Sequence, residues 1–443
     1  MKKYIYLLYG ILLISYHIST AQITNTDTVL ISIDEAWQKA YNNSKELKEQ
    51  DLKTAIGEEN IKDAKMQILP HVGVEAQYGK LANIPIFVDG ITNVPEYVPL
   101  TDHSIYHVNA EAYFNIYSGG ATKTAIKTAE AKQALLEHIK EETTDQLHLE
   151  VIQHYLDLQR FFKFKDLIKH NIKQSEERLR LITELHKNGV VLKSDLLRAQ
   201  LQLSKQQTQL VTMDNNIVLA TQSLNILMGN DDDIPLMPAD SIELKNISVS
   251  KDYYSYVDAS FTHSPLEKMA ETEITLSELN SAALKADKKP KIGLFGTYSY
   301  SYPQIMLYPY EMSPYLLGMA GVRLTYDISA LYHDKHKERA AEIAIEHQRV
   351  AKENVEDAIR KKIKTAYKRF EEDLQKVEVS KNNIEQAQEN YRIVDQTYFN
   401  QLALLTDLLD ADNQLLQARF ELIDNQIAAK LHYYQLIKTS GEL

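Results

Sequence analysis

The sequence predicts an α+β membrane protein in which each chain carries four β-strands and long coiled-coil helices, laid out as an internal duplication. Three observations predict it. Residues 113–229 align without a gap on residues 325–441, 212 positions later. Tyr155 falls on Tyr367, Asn188 on Asn400, Ala199 on Ala411, Leu203 on Leu415, Leu210 on Leu422 and Gly229 on Gly441. Loops absorb insertions and continuously packed helices do not, so an ungapped register this long marks two copies of one helical unit. Second, long stretches are free of helix breakers. Third, the segment before each stretch changes its hydrophobic period from 3.6 to 2.

From Ala121 to about His186 there is no proline or glycine, and Ala, Glu, Lys, Gln and Leu dominate. Such a helix runs ~100 Å at ~1.5 Å per residue. A second helix is expected from Ser194 to Met228, stopped by Gly229. The repeat places one helix at about Tyr332–Phe399 and another from Thr406 to about Thr439, stopped by Gly441. Ser194 and Thr406, each directly before an aspartate and an apolar run, are the expected N-caps.

The second helix of each copy carries a seam. Leu192, Leu196, Ala199, Leu203 and Leu210 repeat in Leu404, Leu408, Ala411, Leu415, Ala418 and Leu422. Alternating spacings of four and three are the coiled-coil period. A neighbouring stripe (Leu405, Leu409, Leu416, Ile423) implies partners on more than one side, hence a multi-helix barrel built by oligomerisation.

Four strands are expected at about 71–79, 105–117, 291–302 and 315–328. Val72, Val74, Ala76 and Tyr78 alternate with Gly73, Glu75 and Gln77, and Val322, Leu324, Tyr326 and Ile328 with Arg323, Thr325 and Asp327. Each strand is apolar on one face and polar on the other. Loops holding Pro85, Pro95, Pro99, Pro303, Pro309 and Pro314 join the strands of each pair. Strands of ~10 residues with an apolar outer face fit a membrane barrel. Four strands cannot close one, so partners from other subunits are required. Tyr298, Tyr300, Tyr302, Tyr308 and Tyr310 fit an aromatic girdle at a membrane interface, against a carbohydrate-binding alternative.

Of 443 residues 44 % are hydrophobic and 25 % charged, which is globular rather than disordered. Lys2 and Lys3, an apolar core at Tyr4–Ile18 and Ser19-Thr20-Ala21 read as a secretory signal peptide at 1–21. With no cysteine, an exported chain is held by burial and assembly rather than by disulfides, and it carries no thioether-linked lipid. A net charge of −12 argues against nucleic-acid binding. Phosphate-loop, nucleophile-elbow and zinc-protease motifs are absent, so no enzyme and no cofactor are expected. His333 and His336 have metal-compatible spacing but no third ligand nearby and read as surface histidines.

The duplicated strand–strand–long helix–helix unit, Phe114-Asn115-Ile116-Tyr117-Ser118-Gly119-Gly120 leading into the first long helix, and the two hairpin tips together resemble the TolC-like outer-membrane efflux proteins. The tips read Asn188-Gly189-Val190-Val191-Leu192-Lys193-Ser194-Asp195 and Asn400-Gln401-Leu402-Ala403-Leu404-Leu405-Thr406-Asp407. The resemblance covers essentially the whole mature chain. It implies a first repeat at 22–229, a linker at 230–262 and a second repeat at 263–443. It also implies a homotrimer forming a 12-stranded transmembrane β-barrel continued by a 12-helix periplasmic α-barrel.

Such a protein is the gated exit duct of a tripartite efflux pump or type I secretion system. Its partners are a periplasmic adaptor protein, an inner-membrane transporter and outer-membrane lipid. By tip alignment a gate ring falls on Asp407 and Asp410 and a latch on Ser194, Asp195 and Tyr398. Adaptor docking falls on Asn188, Gly189, Val190, Val191 and Leu192 and on Asn400, Gln401, Leu402, Ala403 and Leu404. One departure stands out: where the best-known members have a latch arginine, this chain has Ala403. The competing readings are a secreted or periplasmic structural coiled coil, which has no use for lipid-compatible strands, and a pump adaptor, which would carry a single hairpin.

Overall fold

The computed structural model describes residues 28–97, 102–244, 251–304 and 311–443. The signal-peptide segment, Tyr308 and Tyr310 lie outside the described residues. The elements are β1 (Val29–Ile31), α1 (Ile33–Asn43), α2 (Lys45–Met66), β2 (His71–Lys80), β3 (Pro85–Ile86), β4 (Glu96–Tyr97), β5 (Ser104–Tyr117), α3 (Ala121–Lys187) and α4 (Lys193–Met228). They continue with β6 (Leu236–Pro238), α5 (Tyr253–His263), α6 (Pro265–Asp287), β7 (Lys291–Tyr302), β8 (Tyr315–Thr325), α7 (Ala330–His333), α8 (Lys335–Phe399) and α9 (Leu405–Ser440).

The chain divides into two compact units. One comprises residues 1–43, 150–246 and 373–431, the other 44–149, 247–372 and 432–443. In the first, β1 pairs in parallel with β6. A reciprocal cap starts α1: Glu35 accepts from the Ser32 N–H, and Ser32 Oγ from the Glu35 N–H. Tyr155 is buried beneath this ribbon, donating to the Asp240 carboxylate at 2.7 Å and accepting the Asp240 N–H at 3.2 Å. Gly229 ends α4 at φ +69, and Asn43 lies so close that a Cβ there would meet it at 2.8 Å. The expected linker is thus partly structured, since it supplies β6 here and α5 in the second unit.

The second unit holds an antiparallel sheet in the order β2-β5-β7-β8. Register converts the four separate alternations into one surface. Val74, Ala110, Tyr298 and Gly318 form one cross-strand row, and Ala76, Val108, Tyr300 and Leu316 the next. Rows of opposite orientation carry Glu75, Asn109 and Ser299, or Glu111 and Thr297. The apolar face is bare: Val72, Val74, Tyr78, Tyr298, Leu316, Val322 and Leu324 are all exposed. The outer edges of β2 and β8 have no strand partner among the described residues.

The structure corrects several expectations. Leu317 and Met319, both exposed, and Tyr113 and Phe295 break the polarity of the second face. The aromatic pair there serves Arg323, whose guanidinium lies 4.8 Å from the Phe295 centroid and 5.9 Å from that of Tyr113. The long helix of the second copy is interrupted at Asp334, between α7 and α8. Ser194 and Thr406 are not N-caps. Helix α4 begins at Lys193 behind Leu192, which offers no capping side chain, and α9 begins at Leu405. At the second tip a carboxylate one turn inside does the capping: Asp407 Oδ2 accepts the Leu404 N–H at 3.1 Å.

Candidate functional site

Both hairpin tips lie in the first unit and are built alike. In the first, the Gly189 and Val190 N–H groups return to His186 and Leu185 at 2.9 Å each. In the second, the Gln401 and Leu402 N–H groups return to Tyr398 and Thr397 at 2.9 and 2.8 Å. These are paired Schellman closures requiring a left-handed residue at the turn. Gly189 (φ +72) supplies it in one copy and Gln401 (φ +65) in the other. The closure turns Val191 and Ala403 inward against a core of Ile182, Ala199, Tyr398, Leu405 and Leu408. It turns Val190, Leu192, Leu402 and Leu404 out to solvent, Leu402 at 79 % exposure. Asn188, Gly189, Asn400 and Gln401 are exposed beside them. Each tip is a polar turn flanked by bare aliphatic side chains.

A cavity of about 360 Å³ opens in this region, its walls including Val191, Asp195, Arg198, Tyr398, Ala403 and Leu405. The structure therefore brings two of the three expected latch residues together. Tyr398 is buried and its hydroxyl has no hydrogen-bond partner among the described residues. Burial pushes that hydroxyl's pKa up, and the Asp195 charge adds to the rise. Ser194 is exposed and does not line the cavity. Asp407 and Asp410 are exposed on α9, one turn apart. Asp407 is occupied with its cap, and Asp410 accepts from Gln414 Nε2 at 2.7 Å.

Residues 36–230 match the family model described as outer membrane efflux protein. That match covers 195 of the chain's 443 residues. The chain's fold is that of TolC-like outer-membrane channels. It is similar to the outer-membrane channel OprN (14 % identity, 93 % of this chain and 90 % of that one, TM-score 0.77). It is similar also to the outer membrane protein VceC of Vibrio cholerae (14 %, 92 % and 96 %, TM-score 0.74). The Campylobacter jejuni CmeC channel compares equally well (14 %, 93 % and 85 %, TM-score 0.75). No characterised protein matches at the level of sequence.

Behind the tips lies a buried polar network that the sequence reading missed. Arg178 of α3 and Asp412 of α9 are 6 % and 2 % exposed and pair at 3.0 Å. The second arm of Arg178 donates to the Tyr391 hydroxyl of α8 at 3.0 Å, and Asn171 donates to Asp412 at 3.2 Å. Gln206 of α4 donates in turn to Asn171. All four helices of the two hairpins contribute. Asp395 faces the same group, its carboxyl pushed up by burial, relieved by Arg178 and pushed up again by Asp412. The signal was in the sequence: Ile168, Asn171, Ser175, Arg178 and Ile182 follow the three–four coiled-coil spacing and are all buried, three of them neutral or charged polar residues in seam positions.

Proposed function

We propose that three copies of this chain form the exit duct of an efflux or type I secretion assembly. The single observation carrying the proposal is the four-stranded sheet with one exposed apolar face and two open edges. In water that face is an aggregation hazard, whereas in a bilayer it is the lipid surface of a barrel. Backbone groups on a bare edge are tolerated in hydrocarbon only if another strand pairs with them, so β8 of one copy pairs with β2 of the next. Three copies give 12 strands, a wider barrel than the eight-stranded ones whose interior side chains can fill. No described helix is long and apolar enough to cross a membrane.

In this reading the long helices continue the barrel into the periplasm and the tips close it. The exposed carboxylates of Asp407 and Asp410, repeated in three copies, ring the throat, and mutual repulsion favours a wider ring. Asp195 and Tyr398 latch the two hairpins where their cavity lies. The bare aliphatic residues of the tips, with Asn188, Gly189, Asn400 and Gln401, dock a periplasmic adaptor that reaches an inner-membrane transporter. The relatives support a gate: MtrE of Neisseria gonorrhoeae, 15 % identical over 92 % of this chain at a TM-score of 0.71, is an outer-membrane channel seen in its open state.

Fractionation tests the proposal. The protein is expected in detergent-extracted outer membrane, as a trimer that conducts ions after reconstitution. Recovery as a soluble periplasmic monomer overturns it.

A further inference from the structure

The duplication predicts contacts that a single chain cannot make. Two offsets relate the copies within the second unit. From Ser44 to Tyr78 the offset is 220 residues, carrying Ser44 onto Ser264, Gly73 onto Gly293 and Tyr78 onto Tyr298. Beyond β5 it is 212. Helix α2 therefore corresponds to α6, and α3 to α8. Because each helix adjoins a strand of the ordered sheet, three successive helix neighbours are expected within a chain: α2 with α3, α3 with α6, and α6 with α8.

Ion pairs in the structure confirm all three. Lys140 of α3 reaches Asp51 of α2 at 2.6 Å. Lys268 of α6 reaches Glu141 of α3 at 3.0 Å. Lys352 of α8 reaches Glu271 of α6 at 3.8 Å. The third pair is the first carried forward by the two offsets: Lys140 becomes Lys352, and Asp51 becomes Glu271. The rule thus reproduces a contact it was not built from. Applied to the second pair, it turns Glu141 into Glu353 of α8 and Lys268 into Lys48 of α2. Both are exposed, and neither forms an ion pair among the described residues.

Exposed apolar side chains point the same way. In the second unit, α2 bares Leu52, Ile56 and Met66, and α8 bares Ile343 and Val350. The parts of α3 and α6 in that unit, which have neighbours on both sides, bare no large apolar residue among the described ones. Of α2, α3, α6 and α8, the outer two alone carry exposed large apolar side chains among the described residues of that unit.

We infer that α8 of one copy packs along α2 of the next, with Leu52 and Ile56 against Ile343 and Val350 and with Glu353 paired to Lys48. The occupant of this surface is a second copy of the chain. The inference rests on the trimeric reading and deepens it. It assigns the helical seam beneath the β8–β2 strand joint, where a contact made within the chain would recur between chains.

The absence of native cysteine makes the test clean. Lys48→Cys with Glu353→Cys is treated in native membranes with a short bismaleimide. Glu141→Cys with Lys268→Cys serves as the control of matched geometry, and native gels report the oligomeric state of both. The expected result is a covalent dimer and trimer ladder from the first variant and an intrachain link, with no ladder, from the control. Either substitution alone gives no ladder. A trimer whose control links internally while Lys48→Cys with Glu353→Cys gives no ladder overturns the seam but leaves the trimer standing. Monomers in both variants overturn the seam and the trimeric reading together.

Discussion

Asp410 and Asp412 stand two residues apart on α9 and face opposite ways: Asp410 is exposed, while Asp412 is 2 % exposed and locked to Arg178. A helix turns by ~200° over two residues, so one aspartate at a seam position puts its neighbour but one on the outer surface. The exposed carboxylate is held by Gln414 alone among the described residues and faces solvent. Asp407→Ala with Asp410→Ala is expected to raise single-channel conductance and to weaken block by multivalent cations, read in planar bilayers. Unchanged conductance and block remove both residues from the gate.

The buried member of the pair behaves differently. Arg178→Met leaves Asp412 in a dry site without its counter-charge, beside the partly exposed Asp395. The cost is expected to be about 3–5 kcal/mol, measured as the loss of thermal stability of the purified protein. Adding Asp412→Leu is expected to recover most of that loss, because two apolar groups of similar volume need no charge partner. A double variant no more stable than Arg178→Met would show that the network matters through packing and not through charge.

Most of the architecture was legible beforehand, and the reason is periodicity. Helix ends such as Gly229 and Gly441 are marked by residue type: both are left-handed, and both press on the junction between two earlier helices, Asn43 in one case and His263–Ser264 in the other. Strand starts followed from alternation, and β2, β5, β7 and β8 each begin within about a residue of expectation, but β8 ends at Thr325 and leaves the expected Tyr326 and Ile328 outside it. The caps and the network were harder. Leu192 precedes α4 with no capping side chain, because the tip residues are committed to packing and to the Schellman closure. In sequence Arg178 is one more charge on a charged helix. Only its three–four spacing from Asn171, Ser175 and Ile182 betrays an inward position, and its partner lies 234 residues away.

The two tips offer an internal comparison of backbone strain. Gly189 and Gln401 hold nearly the same φ, but only glycine does so without a steric penalty. Gln401→Gly is therefore expected to stabilise the protein by roughly 0.5–1 kcal/mol despite the greater freedom of the unfolded chain. Gly189→Gln is expected to destabilise by a similar amount. A Cβ at Gly189 meets no atom within 4 Å, so its effect is that of the backbone alone. Thermal unfolding of both variants checks the signs, and equal melting temperatures for wild type and Gln401→Gly would refute the strain.

Acid should stabilise the protein at one identifiable place. Asp145 of α3 has its carboxyl pushed up to about 6, by burial first and then by Glu142 and Glu141, against the opposing charges of Lys438 and Lys268. Its folded pKa thus exceeds the unfolded value, so the folded state binds the proton more tightly and stability falls as pH rises between about 4 and 6. Above that window the ionised carboxylate is a standing cost, roughly 1 kcal/mol once solvent screening of a half-buried group is allowed for. Asp145→Asn, a neutral mimic of the protonated acid, is expected to melt higher than wild type at pH 7.5 and to converge with it near pH 4. The difference between the two proteins is the quantity to follow, because every other titrating group is common to both. A constant difference across that range, or a variant less stable at pH 7.5, would mean that Lys438 and Lys268 hold the carboxylate charged and that the rise is absent.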